Sequence, residues 1–335
     1  YNRSGIPLLE IVSGPDMRTA AEAAEYARTI RQILRYLDVC DGNLEEGSLR
    51  CDCNISVRKV GAEKFGTKVE IKNINSFRFV EKAIEFEIER QVDAVERGEK
   101  IIQETRLWDP DKNRTFSMRT KEDAQDYRYF PDPDLLPVIL TAEQLEQFRK
   151  ELPELPLARQ QRFVTEHGLP LYDAEVLTVE REVADYFEET AKVCGNAKAA
   201  SNWIMTELLR ELKNAEKSIV DSPIKPAALG KMILMIEKGT ISGKIGKTVF
   251  TEMWKDGGKD PEVIVKEKGL VQISDSSAVE KIVDEVLAAN AGQVADYRAG
   301  RTKLFGFFVG AVMKASKGQA NPEMVNQLLT EKLKG

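Results

Sequence analysis

The chain has 335 residues, of which 42% are hydrophobic and 31% are charged, and its formal net charge is −6. This composition is typical of a globular protein with room for two or three domains, and it excludes a protein that is basic throughout. The longest apolar run, "LFGFFVGAVM" at 304–313, is too short to span a bilayer, so no membrane partner is expected. The four cysteines form no disulfide framework, which favours a reducing cytoplasm or organelle matrix.

The first stretch, "YNRSGIPLLEIVS", reads as part of a folded domain. It has no Met and no basic-then-apolar signal, so we expect that an N-terminal part of the native protein precedes it. Residues 6–13 predict a buried strand in which Glu10 is the only charge. Residues 19–37 predict a helix that Thr19 caps.

Two hairpins and a long helix are predicted next. Strands at 54–60 and 68–74 form the first hairpin, Ser76 caps the helix that Gly98 ends, and residues 101–108 and 114–119 form the second hairpin. The proline-rich "DYRYFPDPDLLPV" at 126–138 is expected to be extended. These signals predict an α+β fold whose first domain has a mostly antiparallel sheet.

Beyond residue 140 the strand signals stop and helical patterns follow. Residues 239–272 read as a polar, Gly-rich passage with few apolar anchors, and a last group of helices fills 276–334. The sequence therefore predicts a mixed first domain followed by two all-α domains, with boundaries 1–152, 153–269 and 270–335. The last domain is expected to move relative to the rest.

Acidic residues on the predicted strands suggest a cation site. Strand alternation places Asp52 on a polar face, and Glu70 and Lys72 share the polar face of the next strand. With Glu10 on the first strand, three carboxylates on one sheet suggest a hard cation such as Mg²⁺, with all three on one face. The alternative left open by the spacing is that Glu10 pairs with a cationic side chain such as Lys72.

The other chemistry-bearing residues favour structural roles. Cys51 and Cys53 alternate with Asp52 and face the apolar side, so we predict buried thiols. His167, the only histidine, lies at the end of a predicted helix, and we predict that it caps the C-terminus of that helix. The run "GKIGKT" at 243–248 has Ile241 where a phosphate-binding loop needs its first glycine.

Five long motifs in the first half and one in the tail carry a family resemblance. They are "NRSGIPLLEIVS", "EEGSLRCDCNISVR", "FGTKVEIKNINSF", "QETRLWD", "DYRYFPDPDLLPV" and "YRAGRTKLFGFFVGAVMKASKGQANPEMVNQLL". Together they resemble the B subunits of the aspartyl/glutamyl-tRNA amidotransferases, over nearly the whole chain. The resemblance implies that residues 1–152 are the C-terminal part of a cradle domain, followed by a helical domain and a tRNA-binding tail domain. It also implies a ligase component that uses ATP and Mg²⁺ to phosphorylate the side-chain carboxylate of Glu or Asp on a misacylated tRNA. Ammonia from the amidase (A) subunit then gives the amide, and the small (C) subunit completes the heterotrimer.

The resemblance also implies particular residues. The Mg²⁺-binding acids of the family fall on Glu10, Asp52 and Glu70, while Lys72 and Asn73 could contact phosphate or substrate. The alternative for these last two is ordinary polarity at a strand end. Gly14 replaces an acidic residue that is frequent in the family, and further ligands, including a histidine, are expected upstream of Tyr1.

The C-terminal tail carries a local positive charge. Residues 297–335 hold seven Lys or Arg residues against two Glu, a balance of +5 that indicates an anionic partner. The residues that we predict to contact tRNA phosphates are Arg298, Arg301, Lys303, Lys314 and Lys317. For Lys314 and Lys317 the alternative is capping at the end of a helix.

The apolar pattern of the same tail predicts a core helix. The spacing of its large apolar residues puts Leu304, Phe307, Phe308, Ala311 and Val312 in the core. For the chain as a whole, the alternative function is a tRNA-binding scaffold without catalytic residues. The acids of the first half distinguish the two functions, because only the enzyme needs them as a cluster.

Overall fold

The computed structural model describes residues 5–120, 133–270, 276–316 and 319–334. The chain divides into two compact units, Tyr1–Pro156 and Leu157–Gly335. The first unit mixes strands and helices and the second is helical, so the predicted α+β class is confirmed. The three predicted domains, with boundaries near residues 152 and 270, stay a prediction.

The described residues of the first unit form four short strands and three helices. In chain order these are α1 (Ala20–Tyr36), β1 (Cys53–Ile55), β2 (Val69–Lys72), α2 (Phe77–Glu96), β3 (Glu104–Asp109), β4 (Arg114–Thr120) and α3 (Ala142–Glu151). The strands form one sheet in the order β1-β2-β3-β4. The pairs β1/β2 and β3/β4 are antiparallel, and β2/β3, which α2 connects, is parallel. The expected mostly antiparallel sheet is therefore confirmed.

The predicted ends of α1 and α2 are confirmed by their capping bonds. Thr19 accepts a hydrogen bond from the backbone of Glu22, whose side chain bonds back to the Thr19 amide. Ser76 accepts from the backbone N–H of Phe79 at the start of α2. Gly98 follows α2 with a φ of 78°, the left-handed conformation that commonly ends a helix.

The core of the first unit lies on one face of the sheet. It is made by strand residues such as Ile55, Ile71 and Trp108, packed with helix residues such as Ala24 and Val80. Because strand side chains alternate, the residues between them point to the opposite face. That opposite face carries the charged residues of β2.

The predicted strand at 6–13 is not formed. Residues 6–14 have no regular secondary structure, and Leu8 and Val12 are largely exposed. A strand requires its backbone N–H and C=O groups to pair with a neighbour, and none of the four strands in the described residues pairs with this segment. Of the proline-rich segment, residues 126–132 lie outside the described residues, and 133–138 contain no helix or strand.

The second unit is helical, as predicted, throughout its described residues. Its helices are α4 (Pro156–Thr165), α5 (Leu171–Leu177), α6 (Arg181–Cys194), α7 (Ala197–Trp203), α8 (Leu209–Asn214), α9 (Pro226–Glu237), α10 (Gly243–Lys255), α11 (Pro261–Glu267), α12 (Ser276–Ala289), α13 (Ala291–Arg298), α14 (Phe305–Ala315) and α15 (Pro322–Leu333). A π-helical turn, Ile204–Leu208, joins α7 to α8, and a 3₁₀ turn, Thr302–Leu304, precedes α14. Within the described residues, no helix is long and apolar enough to cross a membrane.

The passage at 239–272 is not the loosely anchored segment that we predicted. It forms α10 and α11, and Ile245, Val249 and Met253 belong to the core of this unit. These residues recur every four positions and give α10 an apolar stripe between its lysines and glycines. The overall polarity of the passage concealed this spacing.

The last helices surround a separate apolar cluster. Val283 of α12, Phe308 and Val312 of α14, and Leu329 of α15 are among its buried members. The predicted core helix is therefore confirmed, but Phe307 was wrongly placed in the core, because it is 45% exposed.

Candidate functional site

The open face of the sheet collects Asp52, which comes just before β1, and the charged residues of β2. The register pairs Cys53 with Ile71 and Asn54 with Glu70, so Asp52 enters β1 beside Lys72. Cys53 and Ile71 are buried in the core, whereas Glu70 and Lys72 alternate with core residues and lie on the other face. Two short antiparallel strands thus bring two carboxylates and one ammonium together.

Lys72 lies between the two carboxylates. Its Nζ atom is 2.6 Å from Oδ2 of Asp52 and 3.4 Å from Oε1 of Glu70. The hydrogen bond to Asp52 is the main reason why the pKa of Lys72 is raised, and the negative charge of both carboxylates adds to the effect. The lysine is therefore held in its charged form at a fixed position on the sheet. We call Asp52, Glu70 and Lys72 the sheet-face site.

Glu70 is held from a second side by the neighbouring strand. Thr105 of β3 is its register partner, and the Thr105 hydroxyl donates a hydrogen bond of 2.9 Å to Oε2 of Glu70. Thr105 is fully buried, and the Glu70 side chain is only 17% exposed. Both carboxylate oxygens therefore have partners, which limits the orientations that this side chain can adopt.

Asn73 occupies the end of β2, one residue beyond Lys72. It has a φ of 65°, the left-handed region in which Asn is one of the better tolerated residues. Its side-chain amide donates a 3.2 Å hydrogen bond to the backbone carbonyl of Trp108 in β3. In this structure Asn73 fixes the end of β2 against the end of β3, which favours the alternative of strand-end polarity.

Glu10 does not lie on the sheet. It is exposed in the irregular segment 6–14, and within the described residues it makes no hydrogen bond or ion pair. The structure therefore brings together Asp52 and Glu70 and leaves Glu10 apart from them. In the part of the chain that the structure describes, no group of three or more His, Cys, Asp or Glu side chains is arranged to hold a metal ion.

The two cysteines beside Asp52 face the core, as predicted. Burial was predicted for both and is confirmed for Cys53, whereas Cys51 is only half-buried. Their Sγ atoms are 3.9 Å apart. The hydrogen bond between the thiols lowers the pKa of Cys51, and the same bond together with burial raises the pKa of Cys53. Strand alternation thus separates a thiol pair on one face from the sheet-face site on the other.

A buried charged network behind the sheet was missed by the sequence analysis. Glu87 of α2 is fully buried and accepts bonds from both Arg90, at 2.6 and 3.0 Å, and Gln91, at 2.9 Å. Arg106 of β3 lies 3.7 Å from it and bonds Glu104 at 2.6 Å. The signal was available, because Glu87 falls on the buried stripe of α2 with Val80 and Ala83.

The five predicted tRNA-contacting residues of the tail differ in their surroundings. Arg298 donates a 3.0 Å bond to the backbone carbonyl of Lys332, and Arg301 forms a 2.9 Å ion pair with Asp296. Lys303 and Lys314 are exposed and have no ion-pair partner among the described residues. Lys317 lies outside the described residues. Among the four described members of the set, Lys303 and Lys314 are therefore those whose charge remains available to an external anion.

Both halves of the chain match known protein families. Residues 1–146 match the family described as the GatB/GatE catalytic domain, and residues 185–333 match the GatB domain. The unit with the sheet-face site and the helical unit thus correspond to two parts of one class of protein, the GatB type.

Relatives over the whole chain give the family more closely. The chain is 77% identical over 335 residues to the aspartyl/glutamyl-tRNA(Asn/Gln) amidotransferase B subunit of Bdellovibrio bacteriovorus, covering 100% of the chain and 70% of that protein. It is 58% identical over 334 residues to the protein of the same name from Geotalea daltonii, with the same coverage. The counterpart from Carboxydothermus hydrogenoformans is 57% identical over 333 residues, 99% of the chain and 69% of that protein. The chain belongs to the family of aspartyl/glutamyl-tRNA(Asn/Gln) amidotransferase B subunits, as its motifs predicted.

Proposed function

We propose that this chain activates the side-chain carboxylate of an amino acid carried by a misacylated tRNA. A carboxylate oxygen of Glu on tRNA(Gln), or of Asp on tRNA(Asn), attacks the γ-phosphorus of ATP, and ADP leaves. Ammonia, released from glutamine by the amidase (A) subunit, then attacks the acyl carbon, and phosphate leaves as the amide forms. The chain is thus one component of a carbon–nitrogen ligase that acts with the amidase (A) and small (C) subunits, and we propose the cytoplasm as its compartment.

The sheet-face site is the observation that carries this proposal. Phosphoryl transfer depends mainly on positioning and on neutralising phosphate charge, rather than on a covalent nucleophile. Lys72, kept charged by Asp52 and Glu70, is a fixed cation on an open face, where it can donate hydrogen bonds to phosphate oxygens. Asn73, one residue further, remains a candidate for contact with the substrate.

The donor atoms of the site suit Mg²⁺. This ion is often held by one or two carboxylates together with substrate phosphates and water. Asp52 and Glu70 offer such a pair, because an oxygen of each lies within 3.4 Å of the same atom, Nζ of Lys72. When bound, the ion would neutralise phosphate charge. Glu10 is proposed as a further ligand on the family resemblance alone, and it would have to lie beside the sheet to take that role.

Recognition of the tRNA is proposed for the tail. Exposed Lys303 and Lys314 support it, because a lysine without an acidic partner can neutralise a phosphate and release its counterions. Lys317 is proposed from the sequence alone. Arg298 and Arg301 are expected to contribute less, since their guanidinium groups already bond to the backbone of Lys332 and to Asp296.

The substitution Asp52→Asn in the reconstituted heterotrimer tests the proposed activity. We expect ATP-dependent amidation of misacylated tRNA to fall by about 100-fold or more, while glutamine hydrolysis by the amidase continues. Asp93→Asn, which changes an exposed acid on α2, is the matched control and should leave both activities unchanged. Full amidation by Asp52→Asn would favour the scaffold function instead.

A further inference from the structure

One exposed aromatic residue of α14 lies between two exposed lysines, Lys303 in the 3₁₀ turn before the helix and Lys314 in its last turn. Phe307 is the large apolar residue that the structure removes from the predicted core. Lys314 lies seven positions after it, so the two lie close to one line along α14, about 10 Å apart along the axis at 1.5 Å per residue. Lys303 lies four positions before Phe307, in the 3₁₀ turn that leads into the helix.

The ring of Phe307 is supported from below. Phe308, the next residue, is fully buried in the core of the tail, and the two rings meet edge to face with centroids 5.5 Å apart. Such a contact is a favoured geometry between aromatic rings and restricts their motion. Phe307 is therefore an exposed but oriented ring.

The surface around the ring is open. Gly310, one turn further along the same face, has no group of the described residues within 4 Å of the position that a side chain would occupy. A flat group can therefore approach the ring across Gly310 without meeting a side chain. The sequence of α14 contains no Asp or Glu that would repel an anion.

We propose that Phe307 is a stacking platform for an unpaired base of RNA, with Lys303 and Lys314 contacting phosphates on either side of it. Aromatic rings flanked by basic residues bind single-stranded nucleotides because every base has a π face and every linkage a charge. The charge of the two lysines favours an RNA over a protein segment with an apolar anchor. This proposal rests on the proposed tRNA function of the chain and adds to it a loop or end of the tRNA as the contact.

Binding of tRNA to the complete heterotrimer at several salt concentrations tests the proposal. Phe307→Ala should weaken binding by roughly 5- to 100-fold, the range for loss of one base–aromatic stack, without changing the salt dependence. Phe307→Trp should bind at least as tightly as the native chain. Phe307→Leu keeps an apolar side chain without a π face, so native affinity in this variant would overturn stacking.

Two further variants separate this proposal from the function on which it rests. The double variant Lys303→Ala/Lys314→Ala should lower the slope of log affinity against log salt by about one or two. If that slope and the affinity are unchanged, the proposed role of the tail fails. If the lysine variant behaves as expected but Phe307→Ala binds normally, the stacking proposal alone fails. Tyr172→Ala, at an exposed aromatic residue of α5, is the control and should bind normally.

A photo-cross-linking amino acid at position 307 gives a direct readout of the partner. Irradiation of the heterotrimer with bound tRNA should attach the tail to nucleotides of the tRNA. A cross-link that forms only to protein would overturn the proposal and assign this face to a contact within the heterotrimer.

Discussion

Lysines in the two units of this protein have opposite electrostatic surroundings. Lys72 in the first unit is held between two carboxylates, at 2.6 and 3.4 Å. Lys303, in the turn before α14, and Lys314, in the last turn of α14, are exposed and have no acidic partner among the described residues. A paired lysine is held in a fixed position, but its positive charge is balanced by the neighbouring carboxylates. An unpaired lysine has no fixed position, but its positive charge is available to an external anion.

This contrast separates the two proposed tasks. Local chemistry on a phosphate requires positioned groups, so a paired lysine suits the transfer step. Binding of a long polyanion requires net positive charge over a surface, so unpaired lysines suit tRNA binding. Substitutions in the two places should therefore change different measured quantities.

The largest effect is expected at Lys72. The change Lys72→Ala removes the positioned cation and leaves Asp52 and Glu70 as neighbouring like charges, so ATP-dependent amidation should fall by about 100- to 1,000-fold. The measurement is the turnover rate of the heterotrimer at saturating tRNA. Lys68→Ala, an exposed lysine just before β2, is the matched control. If both variants are equally active, Lys72 has only a structural role.

A smaller effect is expected from the tail lysines. Lys303→Ala/Lys314→Ala should weaken tRNA binding by about tenfold at low salt and less at high salt, because two phosphate contacts are lost. Arg301→Ala, whose guanidinium is already paired with Asp296, should weaken it by about threefold or less. If Arg301→Ala weakens tRNA binding as much as the double lysine variant does, then the ion pair with Asp296 does not keep Arg301 from contacting phosphate.

A third prediction concerns the support of Glu70. Thr105→Val removes the buried hydroxyl that bonds Glu70 and should lower amidation by about tenfold, since hydrogen bonds to charged groups are worth about 1.5–3 kcal/mol. The concentration of Mg²⁺ needed for half-maximal activity should rise, which a general loss of stability would not cause. Thr105→Ser keeps the hydroxyl and should restore both values. Failure of Ser to do so would assign Thr105 a packing role.

The smallest effect is expected on the opposite face of the sheet. Because its pKa is lowered and its side chain is half-buried, Cys51 should be alkylated by iodoacetamide at lower pH and faster than Cys53, whose pKa is raised. Peptide mapping by mass spectrometry measures both rates. Cys53→Ala removes the donated hydrogen bond and should shift alkylation of Cys51 to higher pH. Equal rates at the two cysteines would contradict this account of the thiol pair.

Local signals predicted most of the fold of the first unit. Thr19, Ser76 and Gly98 marked the ends of α1 and α2, because capping depends on residues adjacent in sequence. The hairpins were also found, and strand alternation placed Asp52 and Glu70 on a face separate from the cysteines. The partner of these acids was not predicted, because the pairing of Lys72 depends on strand register.

The errors arose where contacts distant in sequence decide the structure. The segment 6–13 has the composition of a buried strand, but pairing with a neighbour is a property of the whole sheet. Phe307 and Phe308 both fit a helical apolar pattern, and only the packing of α12 and α15 decides which ring is buried. For Glu87 the buried stripe of α2 gave a local signal, but its contact with Arg106 of β3 is distant in sequence.

Formation of ADP by the heterotrimer carrying Glu70→Gln tests the central claim most directly. With saturating misacylated tRNA, the account predicts that ADP formation falls by about 100-fold, while the dissociation constant for tRNA stays at the native value. Glu63→Gln, in the exposed loop before β2, is the matched control and should form ADP at the native rate. Native ADP formation by Glu70→Gln would contradict the assignment of ATP-dependent activation to this face of the sheet.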